Sequence, residues 1–537
     1  MAYTRRSFLM SAGQAGGYGA AFALMQGMNL IPAATAVTAP DWPRDAGKGS
    51  RVVILGAGIA GLTAAYEMGK AGFQCTILEA RERPGGRNWT IRNGSRVTFT
   101  DGTEQTAAWQ PDSYFNAGPG RIPSIHRNIL NYCHELGVDL EVQVNTTRSS
   151  LLVNPTSFGG KAIEQRQAIN DTRGHVSELL AKCVNQHALD QELTGEDRER
   201  MLSFLRTYGD LSNEYSYKGS ERAGASRLGG AGNVTEELRP PLDMHTLLDA
   251  DFWRGMLFEE GLDYQATMFQ PVGGMDRIAY AFTKRLGRIV QYRAVVSKMG
   301  KTARGVRIEY EQSGAKKAIE ADFCICTLPA PVLRNMDGDF APRIRTAINA
   351  TFFSDAYKIG WESKRFWERS YNIYGGISFL SNHPITLVWY PSAKLFSDSG
   401  IVISGYAPET GSPFGGLPDL RAKLKASRDA MELLHPGHSS ELAHPVYVTW
   451  GKMPYSLGGW MSGGGGGGRS SARAQPVNYY EGPYREFIRP DDRYYYAGDH
   501  ISHLSAWQEG AVLSAHYAIR LICDRIRNEK TAGASKA

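Results

Sequence analysis

The chain has 537 residues, which is enough for about three domains of ordinary size and for a large hydrophobic core. Its 60 lysines and arginines exceed its 54 aspartates and glutamates by only six, and no basic run occurs. This charge pattern argues against a nucleic-acid partner. The six cysteines form no CxxC pair and have no histidine cluster beside them, which argues against a metal site and a disulfide framework.

The first 36 residues have the pattern of an export signal. Arg5 and Arg6 stand in a Thr-Arg-Arg-Ser-Phe-Leu-Met sequence that resembles a twin-arginine signal, and the next charged residue is Asp41. Ala34-Thr35-Ala36 offers a cleavage site. A membrane anchor is the rival interpretation, but the glycines and polar residues make a poor spanning helix. We predict a twin-arginine signal peptide over residues 1–36, contact with the export machinery, and a periplasmic or secreted mature protein.

A dinucleotide-binding unit is predicted at the start of the mature chain. The apolar run Arg51–Leu55 predicts a buried parallel strand, and it leads directly into Gly-Ala-Gly-Ile-Ala-Gly. Apolar residues spaced by three and four then predict a helix from Ile59 to Gly69. A second predicted strand, Gln74–Leu78, ends at Glu79. The strand, glycine turn and helix, with an acid at the right distance, indicate a dinucleotide fold.

Each residue of this motif has a physical task. Gly56 makes the tight turn, Gly58 lets the backbone approach a pyrophosphate, and Gly61 lets the helix pack closely on the strand. The helix N-terminus offers free N–H groups to the phosphates, and Glu79 can accept the ribose hydroxyls. The motif alone does not choose between NAD and FAD, and a Gly-rich turn in an unrelated α/β unit is the alternative.

Two further segments carry a family resemblance. Arg81-Glu-Arg-Pro-Gly-Gly-Arg87 follows the ribose acid, and near the C-terminus Arg493–His500 and Ser505–Ala511 read as a strand, a turn with an acid and a helix start. Both segments resemble the flavin amine oxidase family, in its L-amino acid oxidase branch, which implies FAD as the cofactor. Without the dinucleotide motif, the first segment would be read as a solvated Pro-Gly turn.

The resemblance implies a set of cofactor-binding residues distributed over the chain. They are Gly56, Gly58, Ala60, Gly61, Glu79, Ala80, Arg81, Gly86, Arg87, Gly118, Pro119, Gly120, Arg121, Val296, Gly498, Asp499, Ala506, Trp507, Gly510 and Ala511. In this set the Asp499 carboxylate would bind the ribityl chain.

The resemblance also implies a substrate site. Amino acid oxidases must neutralise a carboxylate, and Arg121, in a G-x-x-R-x-P loop, is the expected cation because its planar fork holds both oxygens. Tyr390 is expected to add a hydroxyl, and Trp507 to line the pocket. Gly120 stands where a larger residue such as Met is common, which would widen the pocket or loosen the loop. Lys358 is expected to hold a water against the flavin.

Each of these assignments has an alternative. Arg121 would otherwise be a surface salt-bridge residue, Tyr390 a packed strand aromatic, Trp507 a core aromatic, and Lys358 an outward lysine at a strand edge. No metal ligand is predicted.

The predicted fold is α/β: a discontinuous Rossmann-like FAD-binding domain, a mixed-sheet substrate domain and a helical insertion domain. The predicted boundaries are 1–36 for the signal peptide, 48–125, 261–334 and 485–530 for the three FAD-binding parts (the second shared with the substrate domain), 126–260 for the helical domain, and 335–484 for the substrate-binding domain. Helices are expected at Ile163–Asn170, His175–Cys183 and Asp197–Tyr208. The glycine run 463–468 predicts an exposed loop, with a mobile lid as the alternative.

We therefore predict FAD-dependent oxidation of L-amino acids by oxygen to 2-oxo acids, ammonia and hydrogen peroxide, with catalytic roles for Lys358, Arg121, Tyr390 and Trp507. The alternatives are an L-amino acid 2-monooxygenase, an exported amine oxidase and a flavin-bound protein without activity. The resemblance also implies a homodimer. The preferred side chain is left open: Tyr406, Trp389 and Trp507 suggest aromatic walls, whereas Asp263 or Glu259 could meet a basic side chain.

Overall fold

The dinucleotide motif lies on a parallel sheet of five strands. In a computed structural model, which describes residues 42–189, 191–461 and 482–534, Arg51–Leu55 pairs in parallel with Gln74–Leu78 on one side and Phe323–Cys326 on the other. Val290–Gln291 and Tyr494–Tyr496 complete the two edges, also in parallel. Residues 52–55 and 323–326, at the centre of the sheet, are apolar and buried, because both faces of the sheet are covered. The predicted α/β class is confirmed.

A mixed sheet of seven strands forms the second large element. Its strands, in spatial order, are Ile163–Glu164, Leu151–Val153, Gly376–Leu380, Leu387–Tyr390, Ser399–Ala407, Tyr357–Lys364 and Ala443–Thr449. All neighbours are antiparallel except Leu151–Val153 and Gly376–Leu380, which run in parallel. Its side chains contribute most of the larger hydrophobic core.

Smaller sheets connect these two. A four-stranded sheet has the order Ala315–Ala321, Val306–Gln312, Ala294–Lys301, Asp337–Gly338, and a three-stranded sheet the order Ile122–Pro123, Met268–Pro271, Leu140–Val142. The two-stranded pairs are Thr90–Arg92 with Tyr114–Asn116, Arg96–Thr98 with Glu104–Thr106, Ala225–Arg227 with Glu237–Leu238, and Phe353–Ser354 with Trp460–Met461.

Helices cover the sheets and fill the connections. The α-helices are Ile59–Lys70, Arg127–Leu136, Gln165–Asn185, Gly195–Gly209, Met244–Ala250, Trp253–Met256, Arg277–Leu286, Ala330–Leu333, Pro342–Ala350, Phe366–Tyr371, Leu420–Leu434, Pro483–Phe487 and Gln508–Ala534. The described residues from Arg44 onward form one compact unit. Within the described part of the chain, no helix is both long and apolar enough to span a membrane.

Residues 126–260, predicted to form a helical domain, differ from that prediction in two ways. Two expected helices are one continuous helix, Gln165–Asn185, in which the intervening Gly174 does not end the helix but packs against Tyr217, 2.3 Å from where a Cβ atom would lie. The next helix, Gly195–Gly209, begins at a capping box in which Thr194 and Asp197 satisfy each other's backbone N–H groups. The segment is also not wholly helical, since Leu151–Val153 joins the seven-stranded sheet. The predicted signal peptide and the glycine run 463–468 lie outside the described residues.

Candidate active site

A cavity of about 960 Å³ lies between the two large sheets and is lined by residues from both. Its lining includes most of the predicted cofactor residues: Gly56, Gly58, Ala60, Glu79, Ala80, Arg81, Gly86, Arg87, Gly118, Pro119, Gly120, Arg121, Val296, Gly498, Asp499, Ala506, Trp507 and Ala511. Lys358 lines the same cavity, whereas Gly61, Gly510 and Tyr390 do not.

The glycine turn forms the dinucleotide end of the cavity. Gly56 has a φ of +99°, which favours glycine, and it turns the chain out of the first strand. A Cβ atom on Gly58 would meet no protein atom within 4 Å, so the backbone there is open to the cavity. A Cβ atom on Gly61 would lie 2.1 Å from the Gly56 carbonyl oxygen. Gly61 therefore allows the close packing of helix on turn and does not itself line the cavity.

The predicted ribose acid is held in place by backbone groups. Glu79 is buried, and its carboxylate accepts hydrogen bonds from the Ala57 and Arg81 N–H groups, both at 2.8 Å. Arg81 in turn donates to the Ser456 hydroxyl at 2.8 Å. The carboxylate, the open glycine backbone and the N-terminus of the helix Ile59–Lys70 together fit the ribose and pyrophosphate of FAD.

An ion pair between half-buried Arg87 and buried Asp499 joins the N- and C-terminal motifs. The Arg87 guanidinium contacts the Asp499 carboxylate and also donates to the Gly459 carbonyl oxygen. The other Asp499 oxygen accepts from the Ala506 N–H at 3.0 Å. Burial alone raises the pKa of the Asp499 carboxyl, but Arg87 and His500 outweigh it and hold that pKa well below its usual range. Asp499 is therefore an anion fixed at the edge of the cavity.

The C-terminal helix is anchored by residues that the sequence analysis did not assign. Glu509 accepts hydrogen bonds from the Asn128 and Ile129 N–H groups, at 3.1 and 2.9 Å, and so caps the helix Arg127–Leu136. Gly510 is required by packing, because a Cβ atom there would lie 2.3 Å from the Leu504 carbonyl oxygen. Gly510 is not among the residues that line the cavity, and its assignment to the cofactor surface stays a prediction. Gln508 lines the cavity beside Trp507.

Lys358 points inward from the strand Tyr357–Lys364. The residue is 4% exposed, and its ammonium nitrogen donates to the carbonyl oxygens of Asn116 and Gly118 at 2.7 and 2.5 Å. These hydrogen bonds offset the cost of burying the group. Burial, and secondarily the nearby Arg121 charge, lowers the pKa of Lys358 to about 7. The alternative of an outward lysine at a strand edge is therefore wrong.

Arg121 is a buried cation surrounded by aromatic rings. It is 8% exposed, and its guanidinium carbon lies 4.7 Å from the Trp389 ring centroid and 4.9 Å from that of Tyr264. One guanidinium nitrogen donates to the Asn145 amide oxygen at 2.5 Å. Burial lowers the Arg121 pKa. The described groups that oppose this effect are tyrosines, and none of them is a carboxylate. The surface salt-bridge alternative is excluded, and the guanidinium is free to donate hydrogen bonds to the carboxylate of a bound molecule.

Tyr390 does not reach this cavity, so its predicted contact with the substrate is corrected. Side chains alternate along a strand, and in Leu387–Tyr390 it is Leu387 and Trp389 that face the cavity. Tyr390 faces the opposite side, where its buried hydroxyl lies 2.9 Å from Ser378 Oγ and 2.6 Å from His435 Nε2. The alternative of a packed strand aromatic was the right one.

Tyr406 lines the cavity in which Tyr390 was expected. It lies on the neighbouring strand Ser399–Ala407, directly opposite Lys358, whose nitrogen is 5.0 Å from the tyrosine ring centroid. Burial raises the Tyr406 pKa to about 12, and Arg121 and Arg254 oppose that rise. Its hydroxyl is thus a neutral donor near Arg121. The sequence indicated an aromatic wall here, but no local signal separates Tyr406 from Tyr390.

Gly120 neither widens the pocket nor leaves a gap. A Cβ atom at this position would lie 2.7 Å from the Trp389 ring, so the indole fills the space that a larger side chain would take. Gly120, Lys358 and Trp389 also border a second cavity of about 780 Å³ on the far side of the loop. Tyr390 lies along that second cavity.

Trp507 and Tyr264 form the remaining aromatic wall. Their ring centroids are 6.0 Å apart, and the Trp507 ring also meets His126 edge-on at 4.9 Å. Because Trp507 lines the cavity, it is more than a core aromatic. Neither of the two acids considered for a basic side chain lines the cavity. Glu259 pairs with Arg148 at 2.9 Å, and Asp263 lies 3.5 Å from His126.

Two solved structures illustrate the fold that this chain shares. The chain matches a putrescine oxidase bound to putrescine with a TM-score of 0.58 and 16% identity, over 89% of this chain and 99% of that one. A cyclohexylamine oxidase from Brevibacterium oxydans IH-35A gives a TM-score of 0.58 and 15% identity over the same shares. At these identities the likeness concerns the fold alone.

Curated sequences are similar over most of the chain. A Bacillus subtilis (strain 168) protein provisionally named an L-amino-acid oxidase is 27% identical over 86% of this chain and 92% of its own length. The L-amino-acid oxidases of Gloydius blomhoffii and Naja atra are each 24% identical over 87% of this chain, and over 88% and 87% of their own lengths. The family model for flavin containing amine oxidoreductases matches residues 59–523. Together with the dinucleotide cradle and the inward lysine, this match shows that the chain belongs to the flavin containing amine oxidoreductase family.

Proposed function

We propose that this protein is an L-amino acid oxidase, which converts an L-amino acid, oxygen and water into a 2-oxo acid, ammonia and hydrogen peroxide. The observation that carries the proposal is the buried Arg121 guanidinium, which has no carboxylate partner among the described residues and lines the cavity that the cofactor residues share. A buried cation without a partner lowers the stability of the protein, and an anion bound beside it offsets that cost. The names of the curated relatives support the same function.

The side chains of this chain have clear tasks in such a reaction. FAD, when bound, supplies the acceptor for the hydride from the substrate α carbon and passes the electrons to oxygen. Arg121 binds the substrate carboxylate, and Tyr406 donates a hydrogen bond to it. Trp389 and Trp507 exclude water from the reacting carbon. Fixing the carboxylate restricts the orientation of the substrate, which is a proximity effect.

Lys358 can change its charge near neutral pH, since its pKa is lowered to about 7. Held by two carbonyl oxygens, it keeps one position in the cavity wall. We assign it to the reaction with oxygen, where a nearby cation stabilises the negative charge that develops on oxygen.

Product analysis tests the proposed function. The purified yellow holoenzyme is incubated in air with each of the twenty L-amino acids and with their decarboxylated amines, and 2-oxo acid, ammonia and peroxide are measured. We expect one equivalent of each product from at least one amino acid and none from the amines. An amide product with loss of carbon dioxide would indicate a 2-monooxygenase. Peroxide from the amines alone would indicate an amine oxidase without carboxylate recognition.

Export is proposed on separate grounds, namely the twin arginines Arg5 and Arg6 and the Ala34-Thr35-Ala36 site. Replacing both arginines by lysine should leave the protein in the cytoplasm with its signal attached. Secretion of the double variant at the wild-type level would contradict the proposal. The homodimer stays a prediction.

A further inference from the structure

A second arginine lines the cavity beside the proposed substrate site. Arg254 lies on the short helix Trp253–Met256, which is pressed against the seven-stranded sheet. A Cβ atom on the neighbouring Gly255 would lie 2.4 Å from Leu152, and the Gly255 carbonyl oxygen accepts from the Gln165 amide at 2.6 Å. The core side of this helix is therefore fixed. Arg254 lines the cavity from a rigid support.

The Arg254 guanidinium has no ion pair among the described residues, and its side chain is exposed to the cavity. Its surroundings are aromatic: the guanidinium carbon lies 5.8 Å from the Phe379 ring centroid. Burial lowers its pKa, and the groups that oppose this effect are Tyr264, Tyr406 and Tyr357. Nothing in the described protein neutralises this charge.

Arg254 and Arg121 border the same part of the cavity. The Arg121 guanidinium carbon lies 5.5 Å from the Phe258 ring centroid, that ring lies 5.0 Å from the Phe379 ring, and Phe379 is the ring beside Arg254. Each guanidinium lacks a carboxylate partner among the described residues, and a bound molecule with two anionic groups can supply one to each.

The nearby carboxylates do not change this balance. Glu259 is held by Arg148 and by the Thr146 hydroxyl, and it does not line the cavity. Glu260 does line the cavity, but it is exposed and is not among the groups that act on either arginine. The charge around the substrate is therefore positive.

We propose that Arg254 binds a second carboxylate of the substrate, so that the substrate class of this enzyme is the dicarboxylic L-amino acids. The inference rests on the proposed function, because it presumes that Arg121 binds the α-carboxylate. It makes Arg254 a specificity-determining residue, one that selects the side chain and leaves the reacting bonds unchanged.

The test compares acids with their uncharged amides of nearly the same shape. Flavin bleaching of the holoenzyme is followed without oxygen, using L-glutamate against L-glutamine and L-aspartate against L-asparagine. We expect the wild type to favour at least one acid over its amide by tenfold or more in the second-order rate constant of reduction. Arg254→Gln should lower that acid-to-amide ratio by about 10- to 100-fold, and Arg254→Lys by less. Glu260→Gln, the control at the cavity wall, should not lower it.

A binding measurement separates this inference from the proposed function. Glutarate and pentanoate, which cannot be oxidised at an α-amine, are titrated into the holoenzyme, and the shift of the flavin absorption gives each Kd. Glutarate should bind more tightly than pentanoate in the wild type but not in Arg254→Gln. Equal ratios in the wild type and Arg254→Gln, in both assays, would overturn the role of Arg254. Bleaching by neutral amino acids and not by acids would overturn the substrate class alone. Absence of bleaching by all L-amino acids would overturn the proposed function instead.

Discussion

The two ends of the large cavity are lined by different kinds of chemical group. At the dinucleotide end the contacts come from backbone N–H groups, from the glycine turn that leaves the backbone open to the cavity, and from the paired charges of Arg87 and Asp499. At the substrate end they come from side chains alone: the guanidinium of Arg121, the amine of Lys358 and a wall of aromatic rings. The first end binds one fixed cofactor, whereas the second can change its specificity one side chain at a time.

We expect the largest effect at the ion pair between Arg87 and Asp499, at the dinucleotide end. Asp499→Ala removes one partner and leaves the Arg87 charge without its carboxylate, which costs about 3 kcal/mol of stability in a buried setting. We expect loss of FAD on dialysis and a lower urea midpoint. Asp524→Ala removes a comparable pair with Arg527 that lies on the surface, and it should change neither. Full FAD retention by Asp499→Ala would show that the cradle does not depend on this carboxylate.

The next effect concerns Lys358 and pH. With a pKa of about 7, Lys358 is a cation below that pH and a neutral amine above it. If the cation assists the reaction with oxygen, the reduced protein should react faster below pH 7 and lose about 100-fold in rate as the pH rises well above it.

In Lys358→Met the oxygen rate should be slow at every pH. Lys364→Met, an exposed lysine at the end of the same strand, should keep the wild-type profile. Stopped-flow mixing of reduced enzyme with oxygen from pH 5 to 9 measures these rates, and identical profiles for the wild type and Lys358→Met would remove Lys358 from this step.

A smaller effect is expected in the helix Ile59–Lys70, which follows the glycine turn. Gly61→Ala places a Cβ atom 2.1 Å from the Gly56 carbonyl oxygen, a backbone atom that cannot move without distorting the turn. Overpacking of this kind costs about 1–3 kcal/mol, and FAD binding should weaken accordingly. Gly69→Ala lies on the same helix with no atom within 4 Å of the new Cβ, so its FAD affinity should equal that of the wild type. Equal affinity of the two variants would contradict the close packing.

The smallest effect sharpens the substrate end. Tyr406→Phe removes one hydrogen bond to the substrate carboxylate and should lower kcat/KM for an L-amino acid by about tenfold. Tyr390→Phe should leave kcat/KM unchanged, but it should lower the thermal midpoint because His435 loses its buried hydroxyl partner. Steady-state peroxide assays and thermal unfolding distinguish the two variants. The reverse pattern would restore Tyr390 to the substrate site.

The dinucleotide end could be predicted from the sequence because its chemistry is local. The turn between Leu55 and Ile59 places its glycines by chain connectivity alone, and the strand bounds Arg51–Leu55 and Gln74–Leu78 agree with the structure. Gly61 acts through packing, as the motif implies. The close packing of Gly510 against the loop near Leu504 could not be predicted, because that loop has no sequence signal of its own.

The substrate end could be predicted only in part because it depends on strand orientation and distant pairing. Arg121 and Lys358 were found through their motifs, but a shift of one residue decides which face a strand side chain takes. Trp389 therefore faces the cavity and Tyr390 does not. Arg254 was missed because its relation to Arg121 exists only after the short helix packs on the sheet.

The central claim is that Arg121 recognises the substrate carboxylate, and one comparison tests it most directly. Flavin reduction is followed without oxygen for the wild type and Arg121→Ala, each with the L-amino acid that the wild type oxidises fastest and with its decarboxylated amine. The wild type should prefer the amino acid strongly, and Arg121→Ala should lose about 2–5 kcal/mol of this preference. An unchanged preference in Arg121→Ala would show that the carboxylate is bound elsewhere and would contradict the account.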